Sequence, residues 1–392
     1  MSNPAIIGYA YKVGEIWHEN PDQLIKEVGE AAIKSVGGFT HHDIDAFYIS
    51  DALGKQIYNA SSPAGYLSSG LQTHKPVDVL EDGATALKDA YYAIKSGAHK
   101  RVFVGGFAKL TDSSKPIEHI SSSISPREKF VGATMPSLFG LMDVAYRKEN
   151  NVPDRSVFAE IISKEHHHGV SNPWAQYRFP LSPDRVLKSP LIADPIRQFE
   201  YTYMSDGAAG LILADPTEAE RLSKNPIYLL KVAKASAPSS LHGRESLTSI
   251  PSVKRSAENF FDEVKREDVP ILEIQSKAPV AEPIILEDLG YVEEGKAWRH
   301  IHDAYQNFET QKQKPKYLRW NLNGTEHIVN PSGGPKARGN PVGVTPLMQA
   351  IDVARGLRGE FDLGIKPSYG LSSAISGTGS TSTTFLFGVQ DE

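Results

Sequence analysis

The chain has 392 residues and a formal charge of −5, from 42 basic and 47 acidic side chains, and this small acidic excess argues against the concentrated basic surface of a nucleic-acid binder. Hydrophobic residues make up 40% of the sequence, enough for a sizeable core, yet no apolar run approaches the roughly 18 residues of a membrane span. The chain has no cysteine, which excludes disulfides, Cys-ligated zinc, iron–sulfur clusters and every mechanism with a cysteine nucleophile.

The N-terminal part alternates short apolar runs with amphipathic segments. Strands are predicted at 5–8, 44–49 and 101–107, and helices at 23–36 and 83–97. The second helix has apolar residues at the i, i+3, i+4, i+7 spacing of a buried face, namely Leu87, Ala90, Tyr91 and Ile94. Asp82 can cap the start of this helix and Gly97 can end it. Alternation of strand, helix and strand predicts a parallel sheet covered by helices.

The next part of the chain, 109–196, breaks this alternation and is rich in Ser, Pro and His. We interpret it as a loop domain inserted into an α/β half, with helical patterns at 132–150 and 157–168. A Gly- and Ala-rich strand at 205–214 then completes that half.

A second half follows in which loop, buried helix and glycine-terminated strand recur in the same order. Its predicted elements are strands at 227–232 and 271–274, a helix around 347–354, and closing strands at 369–379 and 383–388 around a glycine turn. We therefore expect an N-terminal half at 1–225 and a C-terminal half at 226–392, related by duplication.

Two turns lead into predicted helices and are candidates for chemistry. The turn at 79–87 offers the free N–H groups of a helix start, a common seat for a nucleophile, although its spacing is more often that of an ordinary capped helix. The glycine-rich loop at 330–345 lets backbone approach a ligand, with Lys336 and Arg338 available to a phosphate. Its alternative interpretation is a plain set of turns.

Three other segments give weaker signals. The Gly-Thr-Gly at 377–379 lacks the spacing of a dinucleotide fingerprint or a P-loop. The histidines at 166–168 cannot all face one metal from a helix, because neighbours are about 100° apart, so we predict a solvated helix end and no metal site. The aromatic-rich stretch at 296–320 is either a cover or interface for a groove, or a solvated helix and loop.

Taken in order, several segments resemble signatures of the thiolase superfamily, and within it the archaeal acetyl-CoA acetyltransferases and the sterol-carrier thiolases. They lie at 132–138, 172–177, 186–197, 205–209, 287–291 and 330–334. The resemblance covers nearly the whole chain. It implies an α/β thiolase fold, with duplicated βαβαβαββ halves in a five-layered αβαβα core, an inserted loop domain and usually a dimer.

The chain departs from this family where the resemblance places reactive side chains. By this resemblance, Leu80 stands at the position of the nucleophilic cysteine, and Gln275 and the residue after it stand where the family has a His-Asp pair. Asn340 stands at the histidine of a Gly-His-Pro motif, and Ala374 lies in the last loop that carries reactive residues in the family. The positions that the resemblance assigns to coenzyme A are His166, Ser332, Gly333, Gly334, Asn340, Gly377 and Thr378. A coenzyme A thioester is therefore the expected ligand, and no other cofactor is expected.

Acyl transfer of the thiolase kind needs a thiolate to carry the acyl group and a base to form the attacking carbanion. Leu80 supplies no lone pair, and Glu81 and Asp82 would raise the pKa of any thiol beside them. One interpretation is therefore a non-catalytic acyl-CoA-binding or scaffold subunit. The resemblance implies partners for it: a zinc-ribbon/OB-fold protein, and thiolase or 3-hydroxy-3-methylglutaryl-CoA synthase subunits.

A second interpretation keeps catalysis without cysteine. In it the chain is a retro-aldol lyase of the thiolase fold, with proton transfer by Tyr201, Tyr203 and Tyr369 or by the carboxylates of Glu81 and Asp82. A divergent acetyl-CoA acetyltransferase is the third interpretation, so whether the chain is an enzyme stays open.

The first residues show no export signal, and we expect a cytoplasmic protein that binds neither membrane nor nucleic acid.

Overall fold

The computed structural model describes residues 3–58 and 62–391. Within these ranges the strands are β1 Ala5–Gly14, β2 Ala46–Ser50, β3 Val77–Leu80, β4 Arg101–Ala108, β5 Leu191–Ala193, β6 Ile196–Arg197, β7 Asp206–Ala214, β8 Ile227–Ser236, β9 Ile271–Ile274, β10 Trp320–Leu322, β11 Thr325–Val329, β12 Tyr369–Ser376 and β13 Thr381–Gly388. Every strand that the sequence pattern predicts is present, with ends that differ by a few residues.

The helices of the same ranges follow the predicted amphipathic segments and add short turns between them. They are α1 Pro21–Lys34, α2 Gly54–Tyr58, α3 Pro63–Leu71, α4 Gly83–Lys95, α5 Pro116–Ile120, α6 Pro126–Phe130, α7 Met135–Glu149, α8 Ser156–Ser171, α9 Pro183–Leu187, α10 Pro216–Leu222, α11 Pro251–Ala257, α12 Ala281–Asp288, α13 Ala297–Thr310 and α14 Thr345–Leu357. None of these helices combines the length and the apolar character that a bilayer-crossing segment requires.

One sheet of 11 strands runs through the described part of the chain in the order β10-β11-β9-β12-β13-β8-β1-β7-β4-β2-β3. On the N-terminal side β3, β2 and β4 are parallel, and β7 and β1 follow antiparallel. On the C-terminal side β11, β9 and β12 are parallel, and β13 and β8 follow antiparallel. The pairing order therefore repeats, and the two halves of the sheet meet where β1 pairs with β8.

The helices α4 and α14, called the central helices below, lie between the two halves of the sheet. The core around them joins α4 residues to side chains of both halves, and it includes the whole predicted stripe of Leu87, Ala90, Tyr91 and Ile94. A second core packs α1 against the outer face of one half, and a third packs α11, α12 and α13 against the other. This gives five alternating layers of helix and sheet, as the resemblance predicts.

The ends of α4 follow the local rules read from the sequence. The carboxylate of Asp82 accepts a 2.7 Å hydrogen bond from the backbone N–H of Thr85, which satisfies a free donor at the helix start. After the last turn, Gly97 has φ of +78°, the left-handed conformation in which glycine ends helices. The start of α4 is thus fixed in place next to the end of β3.

The segment between β4 and β7 contains α5 to α9 and the β5–β6 pair, which is the insertion that the sequence pattern indicates. Farther along the chain, the aromatic-rich stretch at 296–320 forms α13 and β10. Its large side chains are buried, and they are Trp298, Tyr305, Phe308 and Trp320. The Tyr305 hydroxyl is 2.8 Å from the Ser163 hydroxyl on α8. The prediction of a solvated helix and loop is wrong for this aromatic face, which is part of the core, whereas the loop at 311–316 is exposed.

Candidate functional site

A cavity of about 390 Å³ lies between the two halves of the sheet and is called the inter-half cavity below. Its wall comes from the chain just after β3, β9 and β12 and from the starts of the two central helices. Carboxyl ends of parallel strands are where open α/β sheets bind ligands, and helix starts offer free N–H groups with positive potential. The position and the size both suit a small ligand or the reactive end of a larger one.

Backbone contact between the central helices closes one side of this cavity. The N–H of Gly83 donates a 2.7 Å hydrogen bond to the carbonyl oxygen of Gly343. Gly343 has φ of +79°, and a Cβ atom there would lie 2.5 Å from the Cβ of Ala52. Glycine at 83 and 343 therefore lets the start of α4 pack directly against the backbone that precedes α14 and against the Leu347 side chain.

Four ionisable side chains line the inter-half cavity, namely Glu81, Asp82, His119 and Lys277. Lys277 follows β9, and its Nζ donates a 3.2 Å hydrogen bond to the carbonyl oxygen of Gly377. Burial lowers the pKa of Lys277 to about 8, and the nearby carboxylate of Asp82 opposes this shift in part. An amine with such a pKa is available to take or give a proton near neutral pH.

Lys277 is not among the site residues that the sequence pattern predicts. A signal was present, since Lys277 stands two residues beyond Gln275 at the carboxyl end of a predicted buried strand. The sequence does not show which residues lie opposite Lys277. The cavity forms only because the second half brings this strand end to the start of α4, which lies far away along the chain.

Two of the four positions at which the resemblance places reactive side chains lie in the inter-half cavity. Gln275 and Ala374 both line it, and the Oε1 of Gln275 accepts a 2.9 Å hydrogen bond from the N–H of Ile375. Leu80 instead packs against the central core. The side chain of Asn340 accepts a 2.9 Å hydrogen bond from the Thr345 hydroxyl and donates a 3.3 Å hydrogen bond to the Thr202 hydroxyl. Gln275 and Ala374 therefore line the same cavity, whereas the side chains of Leu80 and Asn340 contact other protein groups.

The positions expected to contact coenzyme A are spread over separate environments. Gly377 lines the inter-half cavity, while the Thr378 hydroxyl accepts a 3.2 Å hydrogen bond from Arg244. Ser332 is buried and donates to Glu273 at 2.9 Å. Gly333 and Gly334 are packed so closely against α8 that a Cβ atom would lie 2.8 Å and 2.4 Å from it. Their contacts with coenzyme A stay predictions.

The basic residues of the 330–345 loop do not face solvent. Arg338 is fully buried and ion-paired with Glu273 at 3.3 Å and Asp352 at 3.1 Å. The Nζ of Lys336 donates a 2.7 Å hydrogen bond to the carbonyl oxygen of Tyr201. The prediction that these two side chains are available to a phosphate is wrong, because both are buried and their polar ends contact protein groups.

The three consecutive histidines were predicted to form a solvated helix end, and this is wrong. His166 and His168 are 1% and 0% exposed. Their Nδ1 atoms lie 3.1 Å and 2.9 Å from the carbonyl oxygens of Phe179 and Asn330, and burial lowers the pKa of both rings, that of His166 to about 4. The rings point to different carbonyls, and in the described ranges no group of three or more His, Asp or Glu side chains could hold a metal ion.

The tyrosines proposed for proton transfer do not line the inter-half cavity. Tyr369 begins β12, whose other end reaches the cavity, so it lies at the far end of an eight-residue strand. Tyr203 packs under the ammonium of Lys336 at 3.6 Å, and burial raises its pKa to about 12. Tyr201 is packed against the core formed with α11, α12 and α13. Of the groups named from the sequence for proton transfer, Glu81 and Asp82 are the ones at the cavity.

Comparison with known proteins finds relatives over the full length of the chain. It is 30% identical over 398 residues to an acetyl-CoA acetyltransferase of Methanothermobacter thermautotrophicus, covering 99% of this chain and 100% of that protein. It is also 30% identical to an acetyl-CoA acetyltransferase of Methanocaldococcus jannaschii, covering 97% of each. Sterol carrier protein 2 of Bos taurus is 26% identical over 87% of this chain and 64% of its own length. No family model matches the chain.

Solved structures share the same fold at lower identity. The Ltp2-ChsH2(DUF35) aldolase superposes with a TM-score of 0.80 at 17% identity, covering 98% of this chain and 97% of the matched chain. The acetyl-CoA acetyltransferase of Bacillus anthracis superposes with a TM-score of 0.71 at 14% identity, with 99% of each chain covered. At these identities the likeness extends to the fold alone.

Proposed function

The chain belongs to the thiolase-fold family of the acetyl-CoA acetyltransferases, and on that premise we propose that it is a cysteine-independent lyase that cleaves a β-hydroxyacyl thioester of coenzyme A by a retro-aldol reaction. One observation carries the proposal: the inter-half cavity contains no sulfur nucleophile but is lined by an amine of lowered pKa and by two carboxylates. These groups can move protons, but none of them replaces the thiolate of acyl transfer.

The reaction needs a proton acceptor, a proton donor and stabilisation of an enolate. The β-hydroxyl group loses its proton and becomes a carbonyl as the bond between the α and β carbons breaks. The electron pair of that bond passes to the thioester enolate, whose α carbon then takes a proton. The products are an aldehyde or ketone and a shortened acyl-CoA, and no oxidant or reductant is consumed.

The starts of the central helices suit the charge that develops in this reaction. α4 and α14 each have 13 residues and both begin at the inter-half cavity. The positive end of the α14 dipole favours a negative charge in the cavity, such as that of an enolate oxygen, whereas the start of α4 is already capped by the Asp82 carboxylate.

The named relatives support the substrate class, and one structural neighbour shares the fold. The relatives at 30% identity are called acetyl-CoA acetyltransferases, which indicates a coenzyme A thioester as ligand. The structural neighbour called an aldolase covers 98% of this chain. Because its identity is 17%, it contributes the fold, and the chemistry is argued from the residues of the inter-half cavity.

The test combines binding and turnover with the purified chain. Calorimetry with coenzyme A and acetyl-CoA should give heat, and mass spectrometry of a series of 3-hydroxyacyl-CoA thioesters should detect a shorter acyl-CoA together with a carbonyl product. Ala374→Leu, which fills part of the cavity, should weaken both signals, whereas Val389→Leu at an exposed position should not. No heat at millimolar ligand, or binding without cleavage of any member of the series, would contradict the proposal.

A second candidate is a non-catalytic subunit in an acyl-CoA assembly, and an exposed apolar site favours it. Phe130 and Val131, at the end of α6 in the inserted segment, are 92% and 77% exposed, which is unusual for such side chains unless a partner covers them. The partners considered are a zinc-ribbon/OB-fold protein, a thiolase, a 3-hydroxy-3-methylglutaryl-CoA synthase or a second copy in a cytoplasmic dimer. Co-purification with an active thiolase or synthase, together with absence of cleavage, would favour this candidate over the lyase.

A further inference from the structure

Three other ionisable side chains share the inter-half cavity with Lys277 in the described part of the chain. Glu81 and Asp82 face the inter-half cavity from the start of α4, and His119 faces it from α5. From β12, β13 and the turn between them come only uncharged groups, among them the carbonyl oxygen of Gly377 that accepts from the Lys277 amine. Lys277 is therefore the single amine on the cavity wall, in the part of the chain that the structure describes.

Asp82 has a fixed position relative to this amine. Its carboxylate caps α4 through the 2.7 Å hydrogen bond from the Thr85 N–H, so the carboxylate cannot swing away without uncapping the helix. It lies close enough to Lys277 to favour the ammonium form electrostatically, while burial disfavours that form. Two opposing effects thus set the protonation of Lys277, and burial is the larger one.

We propose that Lys277 is the acid–base residue of the inter-half cavity and that one amine performs both proton transfers of the cleavage, a role that rests on the lyase function proposed above. The free amine takes the proton of the β-hydroxyl group and becomes an ammonium. After the carbon–carbon bond breaks, the ammonium gives that proton to the α carbon of the enolate. Lys277 returns to its free form, so atoms and charge balance over the cycle.

Asp82 acts in this scheme as a positioning residue. Its negative charge keeps the pKa of the amine from falling further, so that Lys277 is present in both forms around pH 8.

Microscopic reversibility adds a partial reaction that needs no carbonyl substrate. In the reverse direction the free amine removes an α proton from a bound acyl-CoA, and in heavy water that position acquires deuterium.

The experiment follows this exchange with acetyl-CoA and butyryl-CoA in heavy water by mass spectrometry, at several pH values. Wild-type protein should incorporate deuterium, with a rate that rises with pH to a midpoint near 8. Lys277→Met should slow exchange at least ~100-fold, the usual loss when a general base is removed. Lys277→Arg should do the same, because a guanidinium holds its proton throughout this range.

Lys234→Met is the matched control. The Nζ of Lys234 donates a 2.8 Å hydrogen bond to the Thr85 hydroxyl beside the same helix start, but Lys234 does not line the inter-half cavity. Exchange should therefore continue at the wild-type rate. Asp82→Asn should retain the cap through its amide oxygen and move the midpoint of the pH profile to lower pH.

Failure of this inference and failure of the lyase function give different results. If wild type cleaves or exchanges and Lys277→Met does so at a similar rate, the lyase proposal stands and the role of Lys277 is overturned. If wild type does neither while binding acyl-CoA, both are overturned. A direct titration by NMR of ¹³C-methylated lysines checks the amine without any activity, and a Lys277 signal that titrates near the ordinary lysine value of about 10.4 would also overturn the inference.

Discussion

The amide N–H of Gly83 and the carbonyl oxygen of Gly343 are 2.7 Å from donor to acceptor, and this hydrogen bond connects the first turns of the two central helices. A Cβ atom on Gly83 would lie 2.6 Å from the Cγ of Leu347, so the helices approach each other more closely here than side chains allow. The contact brings Asp82 from one half of the chain and Gln275 from the other to the same cavity.

Gly83→Ala should destabilise the protein by about 1 to 3 kcal/mol, because the added methyl group has no space between Leu347 and the Gly343 carbonyl. Urea unfolding followed by circular dichroism measures this change. Gly37→Ala is the control, since no heavy atom lies within 4 Å of a Cβ at that position, and it should leave stability within about 0.5 kcal/mol or raise it slightly. Equal midpoints for the two variants would contradict the close helix contact.

Arg338→Met should cost about 3 to 5 kcal/mol, because it leaves the buried carboxylates of Glu273 and Asp352 without this cation. Asp352 keeps its 2.9 Å pair with Arg355, so the loss falls mainly on Glu273, whose pKa burial already raises to about 8 and which loses the cation that opposes this rise. Arg255→Met removes an exposed pair and should change the free energy of unfolding by about 0.5 kcal/mol or less. A loss below about 1 kcal/mol for Arg338→Met in the same urea titration would show that the network is not required.

Acid should destabilise the protein through its buried histidines. The pKa of His166 is about 4 in the folded protein and about 6.5 in an unfolded chain, so between these values the unfolded state binds the extra proton. Stability is therefore full above pH 6.5 and falls as the pH drops toward 4, by about 1.4 kcal/mol per pH unit for this one proton. His168, whose pKa is also lowered, acts in the same direction.

His166→Asn should reduce the slope of stability against pH by the contribution of one proton. The amide of the new side chain can still donate to the Phe179 carbonyl oxygen. Urea midpoints at pH 7, 6 and 5 measure the slope, and His42→Asn at an exposed position is the control. A slope that is the same in His166→Asn as in wild type would mean that this ring is protonated in the folded state.

Thiolysis of acetoacetyl-CoA should stay at background in the wild-type protein, and Leu80→Cys combined with Asn340→His should not restore it fully. Leu80 packs against the central core, and Glu81 and Asp82 beside it would raise the pKa of a thiol. Each unit of that rise costs about tenfold in thiolate at neutral pH. Robust turnover by wild type, measured against a cysteine-containing thiolase as positive control, would contradict the absence of acyl transfer.

Local patterns in the sequence were sufficient for the elements that position the site. The buried stripe of α4, its cap at Asp82 and its end at Gly97 each depend on residues within one or two turns, and the structure has all three. The glycine turn between β12 and β13 is likewise local, with Gly377 and Gly379 at φ of +56° and +106°. Such features are readable because their energies come from neighbouring residues.

Side-chain environments were the part that sequence could not supply. His166 and Arg338 look like surface residues by type, but α8 and the 330–345 loop pack against each other and bury both. Lys277 has an ordinary neighbourhood along the chain, and it becomes a cavity residue only because α4 lies opposite it.

The absence of cysteine, and with it the exclusion of a thiolate nucleophile, was determined by the sequence alone, because composition does not depend on folding. Part of the order of strands and helices was also determined, because hydrophobic periodicity is local, but β5, β6, β10, β11 and most of the short helices were not predicted. Only the tertiary structure decided which charges are buried and which face the cavity. Burial and the distance between groups far apart in the chain control the pKa of Lys277, and both arise only when the two halves of the sheet come together.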